Sequence, residues 1–469
     1  MKKILLLILL SVFVLSDNVT FPVSSGGNIG PSKSDTVNVK ALGVENDGSI
    51  DVSAKLNTIL SEHRSVYIPS GTYKAHNIIV PGDTKILTDG YSTIIDNSGA
   101  TGDTNRIVEL NGSNISIGKL TLIGSITTET DEQSHAIFVS STQTDIKNID
   151  IGGIKGKNIR GDVLYIDQSD ASSNTTSNID VGEVLGDNVL RNVVSITGGS
   201  NIHIGTIIGD RIGLNAIDIE PEHYNAVVTA VTVDYIKGRS VGIVAATPTM
   251  YIDDITLNQL DLSPDYSSDS SPSYAHYSDI GLQLRNIKTL KIGSANIRDT
   301  QSFAIKTTFS AGEMGVKNLL IDKLSISNCG QDSDKTAPNT ECINLQNIGN
   351  IHIGHLSINI PSTDTNVSRV FDAVKNMTID NIDSNIEVNA ALFRNSHDVT
   401  IGSGSVKGGY MGVASTNISA SNIIFDGARW AAYSSSVNAT DSTITTSSYV
   451  SNAGHERNKF KNTRGLGKR

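Results

Sequence analysis

Residues 216–224 read AIDIEPEHY, placing Asp218, Glu220 and Glu222 at alternate positions before His223 and Tyr224. Alternate residues of a strand share one face, so the Cα atoms of Asp218 and Glu220 would lie roughly 6.6 Å apart. Two carboxyls can divide the work of general acid and general base on a glycosidic bond, and inverting hydrolysis holds its pair about 6.5–9.5 Å apart. The plainer reading is a solvated strand face, since single outward acids are ordinary surface. The surrounding elements decide between the two.

Those elements announce themselves as a repeat. The heptad Asn, apolar, polar, apolar, Gly or Asp, polar, apolar occurs as NISIGKL at 114, NIDIGGI at 148, NIDVGEV at 178 and NIHIGTI at 201. Degenerate copies follow at 230, 249, 289, 318, 350, 376, 398, 417 and 438. The mean step of about 27 residues, with no helical periodicity between copies, is the signature of stacked β-coils. The fold class is therefore all-β, a right-handed parallel β-helix with an N-terminal capping helix. The fifth-position Gly or Asp predicts a bend between two short strands. The recurring asparagines predict a buried stack, one per coil, bonded to backbone.

A second strand follows each copy. In-register stacking puts Leu164, Val194, Ile217, Leu282, Ile305 and Ile343 inside. One outward column then reads Tyr165, Ser195, Asp218, a position near Ile243 or Val244, Gln283, Lys306, Asn344 and Asp372. The next reads Asp167, Thr197, Glu220, Ala245, Arg285, Thr308 and Gln346, with the register of VGIVAAT (241–247) left open. Asp167 stands two coils from Glu220, roughly 9.6 Å away at the usual strand spacing. Glu222, His223 and Tyr224 fall in the turn, so Asp218 and Glu220 are the leading carboxylates.

Elimination needs other groups: a cation to neutralise a uronate and a base to take the adjacent proton. Arg285 and Lys306 supply cations, and His223 or Tyr224 a base. Asp167, Asp218 and Glu220 are candidate calcium ligands, which would bridge an acidic protein to an acidic sugar. Tyr165, Gln283 and Tyr224 are candidate substrate contacts. So are Tyr274 and Tyr277 in the loop LSPDYSSDSSPSYAHYSD (262–279), which reads equally as a serine-rich excursion. Arg285 and Lys306 also read as simple charge balance for the acidic coils.

Composition narrows the setting. Only 5% of residues are aromatic, while 42 are glycine, which suits thin stacked β-layers better than a wide aromatic core. MKKILLLILLSVFVLS (1–16) reads as a secretory signal peptide, with a linker over 17–36 and no later stretch long and apolar enough to span a membrane. In an exported chain the two cysteines, Cys329 and Cys342, predict a disulfide across a polar loop. The net charge is −11; without Lys2 and Lys3 it is −13, and setting aside the basic tail (453–469), with six basic residues against Glu456, leaves a body at −18. Such a body excludes nucleic acid as the expected partner.

The segments VNVKALGVENDGSIDVSAKLNTIL (37–60) and SVYIPSGTYKA (65–75) resemble the opening module of the pectate lyase superfamily, the pectin lyase-like right-handed β-helix proteins with a rhamnogalacturonase- or epimerase-like N-terminal module. Asp47, Gly48 and Asp51 match its turn, and Ser53 is the expected helix cap. Asn46 stands where the family usually has Gly, and DVS replaces DDT. The resemblance implies a cap and first coils over 37–106, repeats over 107–452, and a secreted protein acting on a polysaccharide. The family's catalytic motifs are absent, and IEPEHY only loosely approaches the epimerase string D-P-H-E. Lyase and glycoside hydrolase both stay open, with the basic residues leaning to lyase. A uronan epimerase and a non-catalytic carbohydrate-binding or surface protein are the alternatives.

Overall fold

The computed structural model describes residues 36–99, 106–127, 131–140, 145–167, 175–222, 226–247, 249–264, 280–300, 302–308, 315–329, 340–360, 367–386, 391–408, 410–413, 415–426, 429–432, 437–444 and 459–461. The leader, nearly all of the linker and tail, His223, Tyr224, Tyr274 and Tyr277 lie outside the described residues.

Alternating Ile and Val make each heptad a strand with one inward row. Those rows stack in register: Ile149, Ile179, Ile202, Val231, Ile255, Leu290, Leu319, Ile351, Met377 and Val399 pair in turn, and all are buried. Every strand pairing is parallel, which requires the chain to return by a crossover after each coil, right-handed by the usual rule. Among the described residues the coils form one sheet of 22 strands, many of them 11–14 residues long, and a second of 14 short strands. The protein is a parallel β-helix, as its repeat predicts.

Three details differ from the sequence expectation. The fifth-position glycine does not end a strand: Ile146–Ile159 is one strand of 14 residues whose pairing with the following coil lapses at Gly152 and Gly153. A Cβ on Gly182 would sit 2.4 Å from the Gly152 carbonyl oxygen, and one on Gly205 would sit 2.5 Å from that of Gly182, so consecutive coils approach too closely there for a side chain. The asparagine stack exists but is exposed. Asn114, Asn148, Asn178 and Asn201 adopt φ of 54–60°, and each amide from Asn148 onward donates to the previous coil's Asn Oδ1 at 2.8–3.3 Å. The left-handed bend turns these side chains to solvent, so they bond to one another instead of to buried backbone. Finally, the copy assigned to 249 begins at Asp254 (φ 51°), in line with Ala230, and Asn438 pairs with Ser419 rather than aligning with Asn417.

The first coils are held by close contacts. In YIPSGTY, Tyr73 is buried with its hydroxyl donating to the Pro69 carbonyl, and Gly71 (φ 145°) passes so close to Asn46 that a Cβ would meet it at 2.4 Å. Asp89 receives the Tyr67 hydroxyl and the Ser70 N–H. Helix Ser53–Glu62 lays Leu56, Ile59 and Leu60 over the first coil and closes the open end of the core. Its start differs from expectation: the cap position is Val52, which makes no side-chain cap bond, Asp51 Oδ1 accepts the Ser53 N–H at 2.8 Å, and the Ser53 hydroxyl accepts the His76 N–H. At the other expected constraint, Cys329 and Cys342 form a disulfide with Cα atoms 5.5 Å apart.

Candidate active site

The short strands carry the predicted columns. Tyr165, Ser195, Asp218, Gly242, Gln283, Lys306, Asn344 and Asp372 are neighbours in consecutive coils, and Glu220, Val244 and Arg285 align beside them. This settles the register of 241–247: Gly242 faces outward next to Asp218, and Val244 takes the place expected for Ala245, which is buried. Gly242 leaves a notch that the Asp218 carboxylate occupies, since a Cβ there would lie 2.5 Å from Asp218 Oδ1.

Asp218 is partly exposed yet crowded. Asn192 Nδ2 lies 3.5 Å from its Oδ2 while donating to Ser195 Oγ at 3.0 Å. Burial pushes the Asp218 carboxyl well above the usual carboxylate range, and the neighbouring Glu220 charge pushes it further. Glu220 is raised as well, first by burial and then by Glu222, against the pull of Arg191 and Arg285. Asp218 is the more deeply buried of the two, and two carboxyls in different surroundings are the arrangement that separates an acid from a base.

Glu222, assigned to the turn by sequence, belongs to this group. Its Oε2 accepts the Tyr165 hydroxyl at 2.9 Å, across two coils. Tyr165 itself is buried and stacks on His135 (ring centroids 4.3 Å apart) and Phe138 (5.6 Å), so its ring is not available to a sugar. It acts as an anchor for Glu222, and burial raises its own hydroxyl pKa out of reach of base chemistry. Asp167 is also buried, accepting the Thr197 hydroxyl at 3.0 Å, which sets it back from the exposed pair.

Behind the column lies a polar ladder that sequence reasoning missed. Asp162 Oδ1 accepts the Asn192 N–H, Asn192 Oδ1 accepts the Asn215 N–H, and Asn215 Oδ1 accepts the Ser240 hydroxyl, at 2.7–2.8 Å. It fixes the backbone immediately before each site strand. The signal was present as the recurring polar residue in GDVLYI, RNVVSI and LNAIDI. Arg191, 3.8 Å from both Asp162 and Glu132, is the cation whose field reaches Asp218, Glu220 and Glu222. Burial pushes Asp162 up to about 6 against that cation. His135 is fully buried; its Nδ1 accepts the Asp162 N–H, and burial with Arg191 and Arg106 nearby keeps it neutral.

Gln283 and Lys306 stand one and two coils beyond Gly242, both partly exposed, and the Lys306 ammonium lies 4.5 Å from the Phe303 ring centroid. Lys306 is three coils from Asp218, roughly 14 Å at the usual spacing. Among the described residues no three Asp, Glu, His or Cys side chains gather as a metal-holding group. Asp218 and Glu220 beside Arg191 do not supply the six to eight oxygens that calcium takes.

No family model and no curated protein matches the chain. Solved structures similar to 93% of it include the A-module of the mannuronan C-5 epimerase AlgE6 from Azotobacter vinelandii, at 12% identity, a TM-score of 0.35 and all of that chain covered. Tailspike protein 3 of bacteriophage CBA120 gives 12% identity, a TM-score of 0.37 and 62% coverage of that chain. The Agl-KA catalytic domain gives 13%, 0.35 and 68%.

Proposed function

We propose that the protein is a glycoside hydrolase acting on a polysaccharide laid across the outer face of the short-strand sheet. The carrying observation is Asp218: a carboxyl on the outward face of its strand, crowded enough to be held well above the usual range, beside Glu220, which is raised as well. Asp218 gives its proton to the glycosidic oxygen as the bond to the anomeric carbon breaks. Glu220 takes a proton from the water that attacks that carbon. Their Cα atoms lie roughly 6.6 Å apart along the strand, a spacing from which two carboxyls can flank a water as inversion requires. The outward columns continue over several coils as Gln283, Arg285, Lys306, Asn344 and Asp372, which suits a polymer better than a small molecule. A leader at 1–16 would export the protein to where such polymers are found.

Elimination on a uronate is the second reading, supported by Arg285, whose charge reaches Glu220. It ranks below hydrolysis because the groups that crowd the site are carboxylates and the Tyr165 hydroxyl is buried and bonded to Glu222. The test is incubation of the purified protein with uronate-containing and neutral polysaccharides. New reducing ends without new ultraviolet absorbance, with the opposite anomer released, are expected. Unsaturated products would replace hydrolysis by elimination, and binding with neither product would remove catalysis altogether.

The notch at Gly242 gives a sharper expectation. Gly242→Ala must displace the Asp218 carboxylate, because the new Cβ would lie 2.5 Å from Oδ1 and 3.1 Å from Asn215 Nδ2. Its backbone is not left-handed, so alanine is otherwise tolerated. kcat should fall by about 10–10²-fold, the usual cost of moving a reacting group by an ångström. An unchanged kcat with unchanged thermal stability would take Asp218 out of the reaction.

A further inference from the structure

The long-strand sheet carries a feature the proposed hydrolysis does not use. Gln259 and Asp261, Ser294 and Asn296, Lys323 and Ser325, and His355 and Ser357 flank the inward Leu260, Ala295, Leu324 and Leu356 on successive strands. They are the two walls of a trough of about 470 Å³. Asp261 is shared with an adjoining depression of about 210 Å³ lined by Arg211, Lys237, Arg239 and Arg298. Together the two present five cations, with Lys323, against the carboxylates of Asp210 and Asp261 in the lining and of Asp187 and Asp299 beside it. Five cations to four carboxylates leaves a local excess of one positive charge, on a chain whose net charge is −11.

The groups are disposed for recognition. Arg298 is paired with Asp261 and lies 3.8 Å from Asp299, while Arg211 is paired with Asp187 and lies 3.9 Å from Asp210. The buried Arg239 is pinned by the Ile212 and Gly213 carbonyls at 3.1 Å. Lys237 and Lys323 are exposed, and among the described residues neither has a carboxylate within ion-pair distance. Amides and hydroxyls along the trough match sugar hydroxyls, and the cations match a charged substituent on every few sugars.

We infer that this trough is a second glycan-binding site, separate from the Asp218 face, that takes an acidic polysaccharide bearing carboxylate or sulfate groups. A site of this kind explains how an acidic protein holds an acidic polymer: the bulk field repels it and one groove attracts it. The inference stands whether or not the chain hydrolyses glycans.

Affinity electrophoresis of the full chain tests it, in gels containing polygalacturonate, a sulfated galactan, or neutral dextran. Retardation is expected in both anionic gels and not in dextran. Lys237→Glu with Lys323→Glu should weaken retention by about 10-fold or more, the scale of hydrogen bonds to charged groups, with an unchanged thermal melt. Asp218→Asn should leave retention unchanged. A chain that ignores both anionic gels, a double variant retained like the natural chain, or equal retention by dextran would each overturn the site. Equal retention by single-stranded DNA would overturn its assignment to a glycan. Unchanged cleavage of short oligosaccharides by the double variant keeps the trough distinct from the Asp218 face, and lost cleavage would merge the two and end the claim of a second site.

Discussion

Asp218→Asn is expected to lower kcat by about 10²–10⁴-fold, the range for losing a general acid, while leaving the coils at least as stable at neutral pH. The two halves of this result share one cause. Burial, then the charge of Glu220, raises the folded-state pKa of Asp218 well above its ordinary value. In the unfolded chain the group titrates near its ordinary value of about 3.9. Between those two points the folded state keeps a proton that the unfolded state releases, so stability is full below about pH 4 and declines as pH rises toward the folded-state pKa. Asparagine keeps the shape, never ionises, and removes that decline. Melting temperatures of both proteins across pH 4–8 should therefore converge at the acid end, with the variant ahead at the neutral end. Asp47 and Asp89 should behave oppositely, since hydrogen bonds from Ser49 and Ser70 lower their pKa values. A variant that keeps its activity sinks the assignment of the acid; one that loses activity only by unfolding leaves Asp218 as packing.

Much of this site could be read from period-two alternation alone. Ile217 and Ile219 point inward, so Asp218 and Glu220 must point out, and stacking brought Ser195 and Gln283 into the same column. What alternation does not encode is how far a long side chain reaches along the stack. Glu222 leaves its own turn and meets Tyr165 two coils away, so three carboxylates gather where two were expected. Nor does it say which outward residues are covered: Tyr165 and Asp167 obey the alternation and are still buried, because His135, Phe138 and Thr197 close over them. The expected burial of the asparagine stack failed in the same way. The residue type was right for a left-handed bend, but whether that bend faces core or solvent depends on the path of the strand on either side. Nor does alternation reveal His135, whose partners, Asp162 and Arg191, come from later coils.

Glu220→Gln should also cost about 10²–10⁴-fold in kcat, and the pH profile identifies what was lost. Activity requires Glu220 ionised and Asp218 protonated, so the natural profile should be bell-shaped, rising as Glu220 loses its proton and falling as Asp218 loses its own. The limbs report the coupled pair, because each carboxylate raises the cost of ionising its neighbour. Removing the Glu220 charge should abolish the acid limb of the residual rate. It should also move the alkaline limb to lower pH, since Glu220 is the strongest charged contributor to the upward shift of Asp218. A merely structural Glu220 would lower the rate at every pH and leave both limbs in place. Movement of the alkaline limb alone would show that Glu220 tunes Asp218 without acting as base, and Glu222, held by Tyr165 on the same face, would then be the group positioned to activate the water.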